Sequence, residues 1–301
     1  MGGDFVVAGI IDPATKERMR TVEMEEAKTK AAATYNAAAD SFDEPALSFW
    51  DLIGRRTIDR LRLKPGDRVL DVACGSGASA LPAAQRVGSS GAVLGIDLAE
   101  RLLELARAKA RRLGLTNIEF RAADMERSEL ADESFDAVVC VFGIFFVPDM
   151  AGAVRELWRM VRKGGQLAIT TWGPRMLGPG STAFWEAVGR ECPDLVRGFN
   201  PWDRIDSPET LEDVLRASGI EHASITAEFN LHPLSSPNDW WTIVLGTGFR
   251  STIEQLDPAA RERVRVANLA SLGNVQSVEV NALYALAEKP LNSDSSLPSV
   301  T

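Results

Sequence analysis

From residue 68 to residue 171 the chain alternates short, continuous apolar runs with longer stretches in which apolar positions recur every three or four residues. The runs at 68–72, 92–96, 118–122, 135–141 and 166–171 predict strands, and the periodic stretches at 78–87, 99–113 and 150–161 predict helices. Strands that are apolar along their whole length belong to a parallel sheet covered by helices on both faces. Such a doubly wound α/β sheet takes its ligand beyond the carboxyl ends of the strands, where strand order reverses. Ahead of it, residues 16–63 are helix-prone and punctuated by Tyr35, Phe42, Phe49 and Trp50, and a Lys-Pro-Gly-Asp turn at 64–67 closes the segment.

After Trp172 the pattern changes to a stretch rich in Gly, Pro and aromatic residues. The segment SPETLEDVLRASGI then opens on Ser207 with Glu209 just inside it, which predicts a capping-box helix. A strand at 224–231, an irregular and helical stretch at 235–273 and a last strand at 277–289 complete the pattern. The two irregular regions read as helical insertions that cap the ligand edge of the sheet. The expected division is an N-terminal helical lid at 1–63, a ligand-binding core at 64–175, the rest of the sheet with its helical cap at 176–289, and a disordered tail at 290–301.

Composition narrows the partners. A chain of 301 residues buries one large core with an appended subdomain. Its net charge of -9 comes with no dense Lys/Arg block, which argues against nucleic acid. Nothing approaches the roughly 20 apolar residues of a membrane span, and no basic region precedes the short apolar run at the N-terminus. Cys74, Cys140 and Cys192 have no metal-type spacing, so neither a metal site nor a disulfide framework is expected, and a reducing, cytoplasmic setting is.

The candidate chemistry starts in VLDVACGSGASALPAA, residues 69–84. Gly75, Gly77 and Ala80 satisfy a relaxed dinucleotide fingerprint, and Asp97 lies about 20 residues on, where an acid binds ribose hydroxyls. Taken alone, these residues suit a nicotinamide oxidoreductase. Asp71, inside the strand, would repel a pyrophosphate but suits a ligand carrying an ammonium and a sulfonium. In RAADMER, Asp124 can accept from an adenine amino group while Met125 packs on the ring. Pro82 is tolerable only near a helix start, so the helix should begin close to Ser79 with free N–H groups facing the ligand.

With the succession FDAVVCVFGIFFVPD, helix, RKGGQLAITTW, the region from about Thr34 to Trp172 resembles the class I S-adenosylmethionine-dependent methyltransferases, particularly the group that includes the ubiquinone and menaquinone biosynthesis enzymes. The resemblance implies a Rossmann-like, doubly wound, seven-stranded and mostly parallel sheet, with S-adenosylmethionine as cofactor. It implies that Asp71, Gly75 and Gly77 surround the methionine part, that Asp97 holds the ribose, and that Leu98, Asp124 and Met125 meet the adenine. Phe142 and Tyr35 would approach the methionine end and the sulfonium.

The acceptor is the less defined partner. Phe184, Trp185, Phe199, Trp202, Trp240, Trp241 and Phe249 populate the cap segments and suggest an apolar small molecule, with Phe146, Trp185, Trp240 and Trp241 as the expected pocket wall. VFGIFF after the fourth strand lacks the Asn/Asp-Pro-Pro-Tyr pattern of exocyclic adenine methyltransferases. No dedicated general base stands out; His232 and Tyr35 are the candidates. That absence favours an oxygen acceptor, carboxylate or phenol, over carbon methylation of a quinone-like precursor. A nicotinamide oxidoreductase is the distant alternative.

Overall fold

The computed structural model describes residues 13–196 and 200–291, so Phe199 and residues 292–301 of the expected tail lie outside the described residues. Seven strands form one sheet in the order β3-β2-β1-β4-β5-β9-β6. β1 (Arg68–Val72), β2 (Ala92–Asp97), β3 (Ile118–Ala122), β4 (Phe135–Val141) and β5 (Val161–Trp172) are mutually parallel. β9 (Ala282–Glu288) runs antiparallel between β5 and β6 (Ser224–Glu228). The chain goes outward from β1 to β3 and then returns to place β4 on the other side of β1, so strand order reverses between β1 and β4.

Alternate strand residues serve two separate cores. Val69, Val93 and Val139 pack against α3 (Ala80–Val87) and α4 (Glu100–Arg112) on one face. Leu70, Val72, Val138 and Cys140 face the other way, towards α5 (Met150–Met160) and the cap. Burial on both faces is what makes these strands continuously apolar.

Three differences from the sequence expectation have local causes. β5 begins directly at Val161, five residues early, and a register shift between Phe135 and Ala137 absorbs the Gly164–Gly165 turn. The strands expected at 224–231 and 277–289 are each broken, and the detached pieces β7 (Leu231–Pro233) and β8 (Ser277–Glu279) pair as a separate two-stranded ribbon. Asn281 holds both breaks: its Oδ1 accepts from the Asn230 N–H at 3.0 Å and its Nδ2 donates to the Pro174 carbonyl at 2.9 Å. Finally, in α7 (Pro208–Ala217), the box expected between Ser207 and Glu209 closes on Thr210.

The N-terminal segment forms α1 (Pro13–Phe42) and α2 (Phe49–Arg60). α1 is tied to the start of α4, where the Arg101 N–H donates to Asn36 Oδ1 and its guanidinium pairs with Asp40. After β5, the segment expected as the cap folds into α6 (Gly180–Glu191), α8 (Pro237–Leu245), α9 (Arg250–Ile253) and α10 (Pro258–Leu272), whose core is continuous with that of the sheet face carrying Leu70 and Val138. Trp240 is at its centre, fully buried, with Nε1 donating to Asn268 Oδ1 at 2.6 Å. A Cβ on Gly180 would stand 2.4 Å from the Trp240 ring, so α6 and α8 approach over a glycine.

Candidate active site

A cavity of about 1020 Å³, including its open mouth, lies at the carboxyl ends of β1, β2 and β4, on the side where strand order reverses. Its floor is the loop after β1. Ala73 and Gly75 take φ values of 55° and 52° there, so the chain doubles back within four residues of the strand and presents backbone rather than side chains to the cavity. The end of β4 makes the same kind of turn at Phe142, with φ 55°, an uncommon state for a bulky residue. Its N–H donates to Thr170 O at 2.8 Å and its ring stacks on Trp172 at 4.2 Å, which holds the aromatic face in the wall. The two strand ends meet at Gly143, where a Cβ would fall 2.4 Å from the Ala73 methyl.

Asp97, at the end of β2, ties the loop down. Its Oδ2 accepts from the Gly75 N–H and its Oδ1 from the Ala99 N–H, each at 2.8 Å. Desolvation raises its pKa, and the amide hydrogen bonds oppose the shift without cancelling it. Asp71 stands behind the loop rather than in the cavity wall, 1% exposed. Its Oδ2 accepts from Ser79 Oγ at 2.7 Å, while Oδ1 is buried without a partner. Burial pushes its pKa up to about 7, and the charge of Asp97 adds to the effect. Gly77 is also behind the wall, turned towards Leu81 and Ala106. Cys74 lines the cavity, but burial raises its thiol pKa well above the ordinary value, so it is no nucleophile.

Beyond β3, Asp124 and Met125 stand in the wall together with Leu98. Asp124 already has partners: Lys28 Nζ lies 2.7 Å from Oδ2, and the Glu126 N–H donates to Oδ1 at 2.9 Å. Lys28 also pairs with Glu126 Oε2 at 2.5 Å. Opposite this end, Tyr35, Phe42, Trp50, Phe142 and Phe146 make an aromatic wall. Tyr35 meets Phe146 edge-on at 5.5 Å, and Trp50 stacks on Phe42 at 5.4 Å. Burial, with the charge of Asp97, lifts the Tyr35 hydroxyl far above its usual pKa, so it stays protonated.

The structure thus brings Tyr35, Gly75, Asp97, Leu98, Asp124, Met125, Phe142 and Phe146 to one cavity, with Asp71 and Gly77 supporting its floor from behind. Three expected acceptor residues are elsewhere. Trp240 is the core of the cap, because its only polar atom is satisfied inside. Trp241 is partly buried against the same core and absent from the cavity wall. Trp185 borders a separate cavity of about 560 Å³ with Trp202 and Phe249. His232 also misses the cavity: it packs edge-on against Phe49 at 5.2 Å, and its Nε2–H donates to the Ala46 carbonyl at 2.9 Å. Desolvation lowers its pKa, which keeps it neutral.

Sequence reasoning missed Lys28 and Trp50 as wall residues. Trp50 was visible as an aromatic in the lid segment, but nothing distinguished it from Phe49, which faces the core. Lys28 sits in a helix rich in alternating charges, where a lysine ordinarily reads as solvated.

Residues 69–165 match the family model of a methyltransferase domain. The chain is 33% identical over 201 residues to the aklanonic acid methyltransferase of Streptomyces sp. (strain C5), a match that covers 63% of this chain and 89% of the relative. It is 29% identical over 270 residues to the nocamycin O-methyltransferase of Saccharothrix syringae, covering 84% and 95%. Among solved structures, the YcgJ protein from Bacillus subtilis has the same fold, with TM-score 0.51 and 18% identity over 79% of this chain and 99% of that one. Among the described residues no helix is long and apolar enough to cross a membrane, and no cluster of three His, Cys, Asp or Glu could hold a metal.

Proposed function

The chain belongs to the class I S-adenosylmethionine-dependent methyltransferases, and on that footing we propose that it methylates an oxygen of a small, largely apolar acceptor that arrives already ionised, a carboxylate before an acidic phenol. Family membership removes the nicotinamide oxidoreductase alternative.

The residues present fit the cofactor. The unpartnered Oδ1 of Asp71 provides a negative pole under the loop for an ammonium. Asp97 oxygens keep free lone pairs for ribose hydroxyls. Asp124, with Leu98 and Met125 beside it, suits an adenine. The aromatic wall suits a sulfonium, worth about 0.5 to 2 kcal/mol of cation-π attraction. When bound, the cofactor supplies a methyl group on positively charged sulfur, which an acceptor oxygen takes by in-line displacement as the carbon–sulfur bond breaks.

The observation that carries the acceptor class is the aromatic wall itself. Tyr35, Phe42, Trp50, Phe142, Phe146 and Val147 line the chamber, which has no imidazole among its described lining residues, and its two carboxylates, Asp97 and Asp124, already accept from backbone amides and, for Asp124, Lys28. Tyr35 holds its proton. A carboxylate needs no base, whereas a neutral phenol or an activated carbon usually does. One relative is named for an acid and another as an O-methyltransferase, in agreement. The wall residues orient the acceptor and exclude water, and such positioning can recover about 7 to 11 kcal/mol of the barrier. The three cysteines are all free thiols, in keeping with the cytoplasmic setting we infer.

The test is an assay with S-adenosylmethionine against fatty acids, aromatic acids, phenols, quinols and amines, reading the product that gains one CH2 by mass. We expect a methyl ester or an ether of an acidic phenol. A carbon-methylated quinol or a methylated amine as the favoured product would overturn the oxygen acceptor.

A further inference from the structure

Lys28 is the one cationic side chain in the wall of the donor cavity among the described residues. It projects from α1, and its side chain is only 8% exposed. Burial works against its charge, but the hydrogen bonds and charges of Asp124 and Glu126 prevail and its pKa is raised, so it remains an ammonium. An ammonium has three N–H donors. The ammonium donates to Asp124 Oδ2 at 2.7 Å and is ion-paired with Glu126 Oε2 at 2.5 Å. With one N–H set on Asp124 and Glu126 Oε2 at ion-pair distance, at least one N–H has no acceptor among the described residues. Asp124 in turn accepts one hydrogen bond on each oxygen, from Lys28 and from the Glu126 N–H, which leaves lone pairs free.

The cavity wall therefore presents a spare donor and a spare acceptor side by side, carried by atoms 2.7 Å apart. Adenine presents the complement: an exocyclic amino group, which donates, flanked by ring nitrogens, which accept. We propose that Lys28 and Asp124 read the adenine edge as a unit, Asp124 accepting from the amino group and Lys28 donating to an adjacent ring nitrogen, N1 or N7. This rests on the assignment of the cavity to S-adenosylmethionine. Lys28 is then a specificity residue for the donor, and it comes from the lid helix rather than from the sheet. In the same pose, a base with a carbonyl in place of the amino group would set an acceptor against the acceptor Asp124, and a buried acceptor left unpaired is costly.

The experiment is titration calorimetry of the demethylated cofactor, S-adenosylhomocysteine, and of its 1-deaza and 7-deaza forms, each lacking one ring acceptor, with the wild type and with Lys28→Met. In the wild type one deaza form should bind about tenfold more weakly than the parent, as for a lost hydrogen bond to a charged group. In Lys28→Met the parent should weaken by a similar factor and that deaza penalty should shrink below about threefold, which is the signature of a direct pair in a double-mutant cycle. A lysine that only pins α1 would weaken all three ligands alike and leave the deaza penalty intact, which overturns the proposal. So does the absence of any deaza penalty in the wild type, a result that needs no variant. If Lys28→Met does not fold by circular dichroism, Lys28→Met with Glu126→Gln removes the excess negative charge and serves as the second background. Failure of the wild type to bind S-adenosylhomocysteine at all would instead sink the cofactor assignment, a separate outcome.

Discussion

The hydroxyl of Ser79 donates to Asp71 Oδ2 at 2.7 Å, and the second oxygen of the same carboxylate is buried with no partner. Burial and the charge of Asp97 raise its pKa from 3.8 to about 7. Between those values the folded protein holds a proton that the unfolded chain has released. The stability contributed by this group is therefore full in acid and is lost as pH rises towards 7. An ammonium on the ligand favours the ionised carboxylate, so cofactor binding has the opposite trend. We predict that the affinity for S-adenosylhomocysteine rises with pH up to about 7, by at most about tenfold per unit, and then levels off. Calorimetry in buffers of different ionisation enthalpy should show proton release on binding at pH 6, and Asp71→Asn should abolish it.

Asp97 has two tasks, and its removal should reveal both. Asp97→Ala deletes the proposed ribose partner and strips the acceptor from the Gly75 N–H. Binding of S-adenosylhomocysteine should weaken by about 1.5 to 3 kcal/mol, the range for a hydrogen bond to a charged group. Amide exchange at Gly75 should accelerate, because its protection comes from that carboxylate. Affinity unchanged within twofold would remove Asp97 from the site.

The half of the cavity built on the loop after β1 was legible in the sequence because backbone geometry constrains it. The turn after β1 needs Gly75 at φ 52°, and Asp97 has to end β2 where the Gly75 amide can reach it, so spacing along the chain reports distance in space. The aromatic residues expected around an acceptor follow no such rule. Trp50, Trp185, Trp240 and Trp241 are alike in composition, and only the packing of α2, α6, α8 and α10 decides which of them faces a chamber. The same holds for the ribbon of β7 and β8: 277–289 is apolar enough for one strand, and the break comes from Asn281, whose side chain bridges residues 230 and 174 that are remote in sequence.

Trp240 should matter for stability and not for acceptor choice. Trp240→Ala removes a fully buried ring and orphans Asn268, so we expect a loss of about 3 to 5 kcal/mol in urea unfolding. Gly180→Ala attacks the same contact from the other side, forcing a methyl to within 2.4 Å of that ring, and should cost about 1 to 3 kcal/mol. The two costs should be markedly non-additive, since truncating the ring makes room for the methyl. A change in acceptor ranking with stability unaltered would return Trp240 to the chamber.

His232 provides the sharpest check on a reaction without a protein base. Its Nε2–H is committed to the Ala46 carbonyl, and Phe49 stands edge-on against its ring. Because its folded-state pKa is lowered, the stability it contributes is present above the ordinary value of 6.5 and is lost as pH falls through the depressed value. His232→Gln should therefore keep kcat within about threefold and leave the pH–rate profile in place, while the unfolding midpoint below pH 6 becomes less sensitive to acid. A general base behaves differently, since its loss costs about 100- to 10,000-fold in rate. A drop of that size with cofactor affinity preserved would put an imidazole into the mechanism and reopen neutral phenols and carbon acceptors as substrates.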